Sequence, residues 1–341
     1  MIKVGFVGLD INGRRFFTRE LVESINIKEK FRPLFYTLPL IPEMLDPDIE
    51  VLSVFTDAKV DKKIFDALPK LKLIACRSTG YDNIDMKLAE KKRVTVTNTP
   101  SYGASSVAEY TFAMILMLSR KLPEIIHESF SPNPNRTLER GFDLHGKTIG
   151  IIGLGDIGKG VAQIAYGMGM KILAYDIKKD ERVASWLRVE YVDEVEKLLE
   201  KSDIVTLHIP YREDNRHFMD AKKLELMKNS ALLINTARGE LIDTVALMKA
   251  LNNRQISGAA LDVVENEYLL DPDEIIDLAG ENTSARSSLR HALALLALER
   301  MPNVIITNHN AFNTVEAIER INKMVVDNII GFYSESEINI V

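Results

Sequence analysis

The chain has 341 residues, a length that suggests two domains. Apolar residues make up 46% and charged residues 27%, the balance of a globular protein rather than a disordered or fibrous one. A net charge of −6 without a basic block argues against nucleic acid as a main partner.

The first hundred residues alternate strand-like and helix-like pieces. Short apolar runs at 2–7, 34–36, 51–55, 72–76 and 94–97 read as buried strands. Amphipathic stretches between them, at 14–25 and 62–68, complete a parallel α/β unit. The chain opens directly on a strand-like segment, which leaves no room for a signal peptide, and its longest apolar runs, such as 112–118, fall far short of a membrane span. The single cysteine, Cys76, lies in an apolar run and forms no internal disulfide, so a reducing, cytoplasmic setting and a buried structural thiol are expected. The Gly8 to Gly13 stretch lacks the spacing of a nucleotide fingerprint.

A long helix is predicted at 105–122, ahead of a polar, proline-containing stretch at 129–136. The segment 147–176 then reads KTIGIIGLGDIGKGVAQIAYGMGMKILAYD: strand, glycine turn, helix, strand, acid. Gly153 permits the tight turn, Gly155 allows close approach of a pyrophosphate, and Gly158 lets the helix sit against the strand. The helix N-terminus offers unpaired N–H groups and the positive end of its dipole to phosphates. Asp176 stands where a carboxylate binds the adenosine ribose hydroxyls. Lys178 and Lys179 follow, and NADP sites use nearby cations, but the retained carboxylate would repel a 2′-phosphate; NAD is read over NADP. Further strand-like runs at 204–209, 231–235, 256–261 and 304–307 supply a doubly wound sheet. A last helix, 314–333, follows that sheet and would cross back to the first domain. The expected architecture is therefore α/β with two doubly wound parallel-sheet domains. Residues 1–100 and 312–341 form a discontinuous, flavodoxin-like substrate domain, and 101–311 form a Rossmann NAD-binding domain.

Three stretches carry chemistry, each at a predicted strand end, where doubly wound sheets bind ligands. Asn235-Thr236-Ala237-Arg238-Gly239 presents an arginine whose fork suits a carboxylate, although a structural salt bridge also fits. Asp262, Glu265 and Glu267 follow the next strand and by themselves also fit a solvated loop. His309 follows the last strand; a lone histidine is more often structural, but this one joins an arginine and an acid at one sheet edge.

Taken together, these stretches resemble the D-specific 2-hydroxyacid dehydrogenase family over nearly the whole chain. The matching pieces run from Gly80-Tyr81-Asp82-Asn83-Ile84-Asp85 and Val107-Ala108-Glu109 through the glycine fingerprint and His208-Ile209-Pro210. They continue through Arg238-Gly239, Leu261-Asp262-Val263 and His309, in family order. The stretches 215–218 and 309–314 look most like the D-lactate dehydrogenase branch.

The resemblance implies roles. Arg238 binds the substrate carboxylate and polarises the C2 oxygen, and His309 is the general acid/base. Glu267, five residues after Asp262, pairs with the histidine, with Glu265 the competing candidate; a carboxylate beside an imidazole favours its protonated form. The turn at Thr79 and Gly80 offers backbone N–H groups to the substrate carboxylate. Gly153, Gly155, Asp156, Ile157 and Gly158 line the pyrophosphate, and Asp176 holds the ribose. Ile209, Pro210 and Asn215 border the cofactor. Thr236, Ala237 and Asp262 approach the nicotinamide, with Asp262 accepting from its carboxamide. The family closes a cleft over the reaction, and the helix at 105–122 pairs two subunits, so a homodimer is expected. The implied reaction interconverts a 2-keto acid and the D-2-hydroxy acid, pyruvate and D-lactate first, larger 2-keto acids next. An NAD-sensing corepressor-like protein with incidental activity is the alternative.

Two features depart from the family. Asn308 stands where proline often precedes the histidine, and residues 268–300 lengthen the interval between Glu267 and His309. A helix is predicted at 284–300 with Leu289, Leu293 and Leu296 on its apolar face; it either packs as a surface helix or borders the substrate entrance. His127, His145 and His291 lie on surface-like stretches, His208 lies in a strand and His217 in a loop; none shows metal-ligand spacing, and no metal is expected.

Overall fold

A computed structural model describes residues 1–23, 30–130, 140–265 and 283–341. The chain divides into two compact units, Met1–Tyr102 with Asn313–Val341, and Gly103–Phe312.

Among the described residues of the first unit, five strands form one parallel sheet in the order β2-β1-β3-β4-β5. They are β1 (Ile2–Val7), β2 (Phe31–Tyr36), β3 (Ile49–Val54), β4 (Leu73–Cys76) and β5 (Thr95–Thr97). This is the flavodoxin-like order, and the strands are apolar because both faces of such a sheet are covered. β2 begins earlier than the apolar run suggests, since Pro33 obscures it; as an edge strand it tolerates a proline that a central strand would not. The expected helix at 14–25 is a helix over Ile11–Thr18, capped by Asp10 on the Gly13 N–H, that widens to a π-turn over Arg19–Glu23; positions 24 and 25 lie outside the described residues. Cys76 is 1% exposed, and burial pushes its thiol up to about 12. The helix Val315–Ser334, capped by Thr314, belongs to this unit. Its Asn328 donates to the Asn98 carbonyl and accepts from the Asn339 N–H, and Tyr333 meets Phe31 edge to face.

The second unit holds the other sheet, ordered β12-β11-β10-β9-β6-β7-β8, all parallel. Its strands are β6 (Thr148–Ile152), β7 (Lys171–Tyr175), β8 (Val189–Tyr191), β9 (Ile204–Leu207), β10 (Leu232–Asn235), β11 (Gly258–Leu261) and β12 (Val304–Ile306). From β6 outward the order reverses, the switch point at which doubly wound sheets bind ligands. Apolar clusters cover both faces. One gathers Leu198, Leu207, Leu233, Leu247 and Leu261, and the other Phe112, Ile115, Ile151, Val161 and Ile234. Each such fully buried side chain contributes about 1.5–3 kcal/mol over leaving it in water.

The helix Thr283–Glu299 corrects the expected apolar face. Leu293 is 57% exposed, whereas Ala292, Leu295 and Leu298 are buried in the same cluster as Leu247 and Leu251 of the helix Thr244–Asn252. Three leucines at helical spacing marked a stripe, but the side that docks was set by the neighbouring helix. Among the described residues, no helix is long and apolar enough to cross a membrane.

Candidate active site

The registers of the second sheet bring the expected residues together. Ile152 pairs with both Tyr175 and Leu207, Leu207 with Asn235, Asn235 with Leu261, and Leu261 with Ile306. The residues that follow those strand ends therefore stand in one row along the carboxyl edge of the sheet: Gly153, Asp176, His208, Thr236, Asp262 and Thr307.

At the switch point the three fingerprint glycines differ in what surrounds them. Gly153 has φ +94°, and a Cβ there would meet the His208 carbonyl oxygen at 2.6 Å. A Cβ on Gly158 would run into the Gly153 carbonyl. A Cβ on Gly155, by contrast, would meet nothing within 4 Å. Two glycines are thus required by the protein's own packing, and Gly155 faces open space. Gly155 also caps the helix Asp156–Gly167 without a side-chain hydrogen bond, so Asp156, Ile157 and Gly158 begin a helix whose N-terminus suits a pyrophosphate. Asp176 accepts from the Leu154 N–H at 2.6 Å and the Lys178 N–H at 2.8 Å. It ties the end of β7 to the glycine turn and keeps further lone pairs for a ribose hydroxyl. These features fit a dinucleotide.

Beyond β9, His208 holds Thr206 Oγ1 at 2.9 Å, and burial pushes its imidazole down to about 3. Ile209 packs against the apolar core, and Asn215 closes the following turn by donating to the Pro210 carbonyl and accepting from the Arg212 N–H.

Past β10, Asn235 organises the arginine turn. Its side chain accepts from the Ala237 N–H at 3.0 Å and donates to the Arg238 carbonyl at 2.8 Å. Thr236 is buried with its hydroxyl 3.0 Å from that of Thr111. Arg238 is half-buried, and its guanidinium donates to the Ala237 carbonyl. Gly239 lies so close to the Val264 carbonyl and the Glu265 nitrogen that a Cβ has no room. Sequence reasoning passed over Asn235, although an Asn two residues before the N–H it accepts from is an Asx-turn signal.

Asp262 is 1% exposed and grips the histidine loop. It accepts from the Thr307 hydroxyl at 2.6 Å, the Asn310 N–H at 2.9 Å and the Ala311 N–H at 2.8 Å. His309 sits within that grip in the left-handed region, φ +48°, with its N–H on the Asp262 carbonyl at 2.7 Å. A non-glycine residue in that region persists only when its surroundings over-determine it. Asp262 contributes to that determination.

Glu267 lies outside the described residues. Glu265 is 2% exposed with both oxygens engaged: Oε1 receives Arg216 Nη2 at 2.6 Å, and Oε2 stands 2.9 Å from His217 Nε2 and 3.1 Å from His291 Nε2. The surface-like reading of His291 is thereby corrected, because its ring is 14% exposed and faces this carboxylate from the helix Thr283–Glu299.

In the first unit, the Thr79–Gly80 turn follows β4. Thr79 donates to the Thr99 carbonyl at 2.8 Å and Ser78 to the Gly80 carbonyl at 2.6 Å. Beneath the turn, the buried Arg77 guanidinium donates to the Val7 and Ser53 carbonyls and so binds the ends of β1, β3 and β4; burial lowers its pKa to about 10.

Comparison with known proteins agrees with this geometry. The NAD-binding domain of D-isomer specific 2-hydroxyacid dehydrogenases matches residues 112–311. A glyoxylate reductase of Korarchaeum cryptofilum is 38% identical over 94% of this chain and 92% of its own, and one of Thermococcus litoralis 34% identical over 93% and 92%. The crystal structure of D-lactate dehydrogenase from Aquifex aeolicus, complexed with NAD and lactic acid, superposes with a TM-score of 0.82 at 34% identity, covering 97% of this chain and 96% of that one. The fold and the sheet edge define an NAD-dependent oxidoreductase. The chain belongs to the D-isomer specific 2-hydroxyacid dehydrogenase family and is an NAD-dependent 2-hydroxyacid dehydrogenase.

Proposed function

We propose that this enzyme reduces a small 2-keto acid to the D-2-hydroxy acid, with pyruvate and D-lactate as the first pair. The observation that carries the reading is the shared sheet edge of the Arg238 turn and the His309 loop, each held by a buried polar side chain, Asn235 and Asp262. The names of the relatives favour a small substrate: glyoxylate for the sequence relatives and lactate for the structural neighbour.

In this reading Arg238 binds the substrate carboxylate and polarises the C2 oxygen, and in the first unit the Thr79–Gly80 turn offers backbone amides to a substrate carboxylate. His309 delivers a proton to the C2 oxygen. Glu267 orients His309; what supports it over Glu265 is that both oxygens of Glu265 are engaged with Arg216, His217 and His291. The cofactor, when bound, supplies or accepts the hydride. Gly153, Gly155, Asp156, Ile157 and Gly158 hold its pyrophosphate and Asp176 its ribose. Ile209, Pro210 and Asn215 border it, and Thr236 and Ala237 approach the nicotinamide. Asp262 acts chiefly by holding the His309 loop. We also infer a homodimer through the helical region 105–122; its support is the exposed apolar side chains of Leu122, Ile125, Ile126 and Phe130 that continue from it.

The test is loss of NADH absorbance with pyruvate, glyoxylate and larger 2-keto acids, with His309→Ala beside the unaltered enzyme. Removing a general acid costs about 10²–10⁴-fold in rate, so His309→Ala turns over pyruvate at least a hundredfold more slowly. A preference for bulky keto acids moves only the substrate name. Tight NADH binding with no turnover of any keto acid overturns the reading and favours a sensing role.

A further inference from the structure

We infer that His217, Glu265 and His291 form a binding site for a divalent transition-metal ion of the zinc class. The inference stands apart from the choice of keto acid. The three residues come from three separate segments: the loop after β9, the segment after β11, and the helix Thr283–Glu299. Their donor atoms nevertheless all lie within 4.8 Å of one another. No spacing in the sequence announces this, which is why the sequence predicts no metal.

The donor set is two imidazole nitrogens and one carboxylate oxygen. That is a set zinc takes in sites with three protein ligands, leaving the fourth tetrahedral position to water. Bonds of about 2.0–2.2 Å around a tetrahedral ion separate the ligand atoms by roughly 3.3–3.6 Å. The observed separations of Glu265 Oε2 are 2.9 Å to His217 Nε2 and 3.1 Å to His291 Nε2. Both contacts of Glu265 Oε2 would lengthen by a few tenths of an ångström around an ion, and the two histidine nitrogens stand within 4.8 Å of each other. Access exists on one side: the His217 side chain is 29% exposed, whereas Glu265 is 2% exposed.

Arg216 sets the affinity. Its guanidinium holds the other carboxylate oxygen, Oε1, at 2.6 Å, which fixes the carboxylate plane and turns Oε2 towards both histidines. Its positive charge also opposes a cation, so the site is weaker than a dedicated structural zinc site. The competing account is an ion-pair cluster that holds three segments together and takes no metal. The two accounts predict opposite effects of removing Arg216: a plain cluster is only damaged, whereas an ion would be held more tightly.

The experiment uses the full chain, freed of metal by a chelator. It is titrated with Zn²⁺ by calorimetry and with Co²⁺ followed by visible absorption. One zinc per chain is expected, together with the strong visible bands of tetrahedral cobalt. His291→Gln and His217→Gln each weaken binding at least about tenfold, by the scale on which even outer partners of a metal site act. Arg216→Gln tightens it several-fold. Melting of each variant without metal reports whether it folds, and His217, the more exposed ligand, serves if His291→Gln does not. Absence of zinc binding by the unaltered protein overturns the inference. So does zinc affinity unchanged in the His217→Gln/His291→Gln double variant, or an Arg216→Gln variant that loses zinc as the histidine variants do.

Discussion

Asp262→Asn tests how the histidine loop is held. The carboxylate is almost fully buried and accepts three hydrogen bonds from residues 307–311, two of them from backbone N–H groups. An amide of the same shape has one acceptor oxygen. Its NH₂ must face either the Ala311 N–H or the pair formed by Thr307 and the Asn310 N–H. One buried donor then loses its partner and the remaining bonds lose their charge, at a cost of about 3 kcal/mol on the scale of charged and unsatisfied buried groups. The unit Gly103–Phe312 is of a size at which each kcal/mol lowers Tm by about 2–4 °C, so a fall of about 6–12 °C is expected in the absence of cofactor. The grip helps to hold His309 at φ +48°, so, with His309 as the proton donor proposed above, kcat/KM should fall by about a hundredfold, the scale of a misplaced catalytic group. The assay pairs thermal melting of the cofactor-free protein with steady-state kinetics. An unchanged melting point with a raised Kd for NADH would refute the reasoning, because Asp262 would then act on the nicotinamide end alone.

Two other perturbations follow from the same edge. Gly239→Ala drives a methyl into the backbone of Val264 and Glu265, which has no rotamer to yield, and should cost about 1–3 kcal/mol or more in a melting experiment. Gly155→Ala meets nothing and should leave Tm unchanged while raising the Kd for NADH; equal losses of Tm in the two variants would refute open space beside Gly155. His208 gives a pH dependence. Its folded pKa is about 3 against an ordinary 6.5, so below pH 6.5 the unfolded chain binds a proton that the native state refuses. Stability should fall as pH drops from 6.5 towards 3, by about 2 kcal/mol at pH 5. His208→Gln should therefore lose less Tm between pH 8 and 5 than the unaltered protein; an identical loss would assign the acid sensitivity elsewhere.

Much of the fold was legible because its signals are local. The strand–glycine–helix–strand–acid order at 147–176 is dictated within thirty residues by backbone freedom, periodicity and one carboxylate. Apolar runs marked most strands, since parallel strands buried on both faces carry no alternation to confuse them. The failures were equally physical. The apolar run of β2 is interrupted by a proline that its edge position tolerates, and β8, Val-Glu-Tyr, has a charged centre that leaves no apolar run. The helix Thr283–Glu299 was found, but its inward face was set by the helix Thr244–Asn252 rather than by its leucines.

The site divides in the same way. Arg238 and His309 could be singled out from the chain because each follows a buried strand in a fold that binds ligands at strand ends. The sequence by itself thus determined the architecture, the nucleotide turn and the residue types that stand at the ends of its strands. Tertiary structure alone decided what holds them: Asp262 spends its carboxylate on the His309 loop, and Glu265 gathers Arg216, His217 and His291 from distant segments. Such partnerships depend on the register of parallel strands and on which helix face docks. Those are set by long-range packing, and no local spacing encodes them.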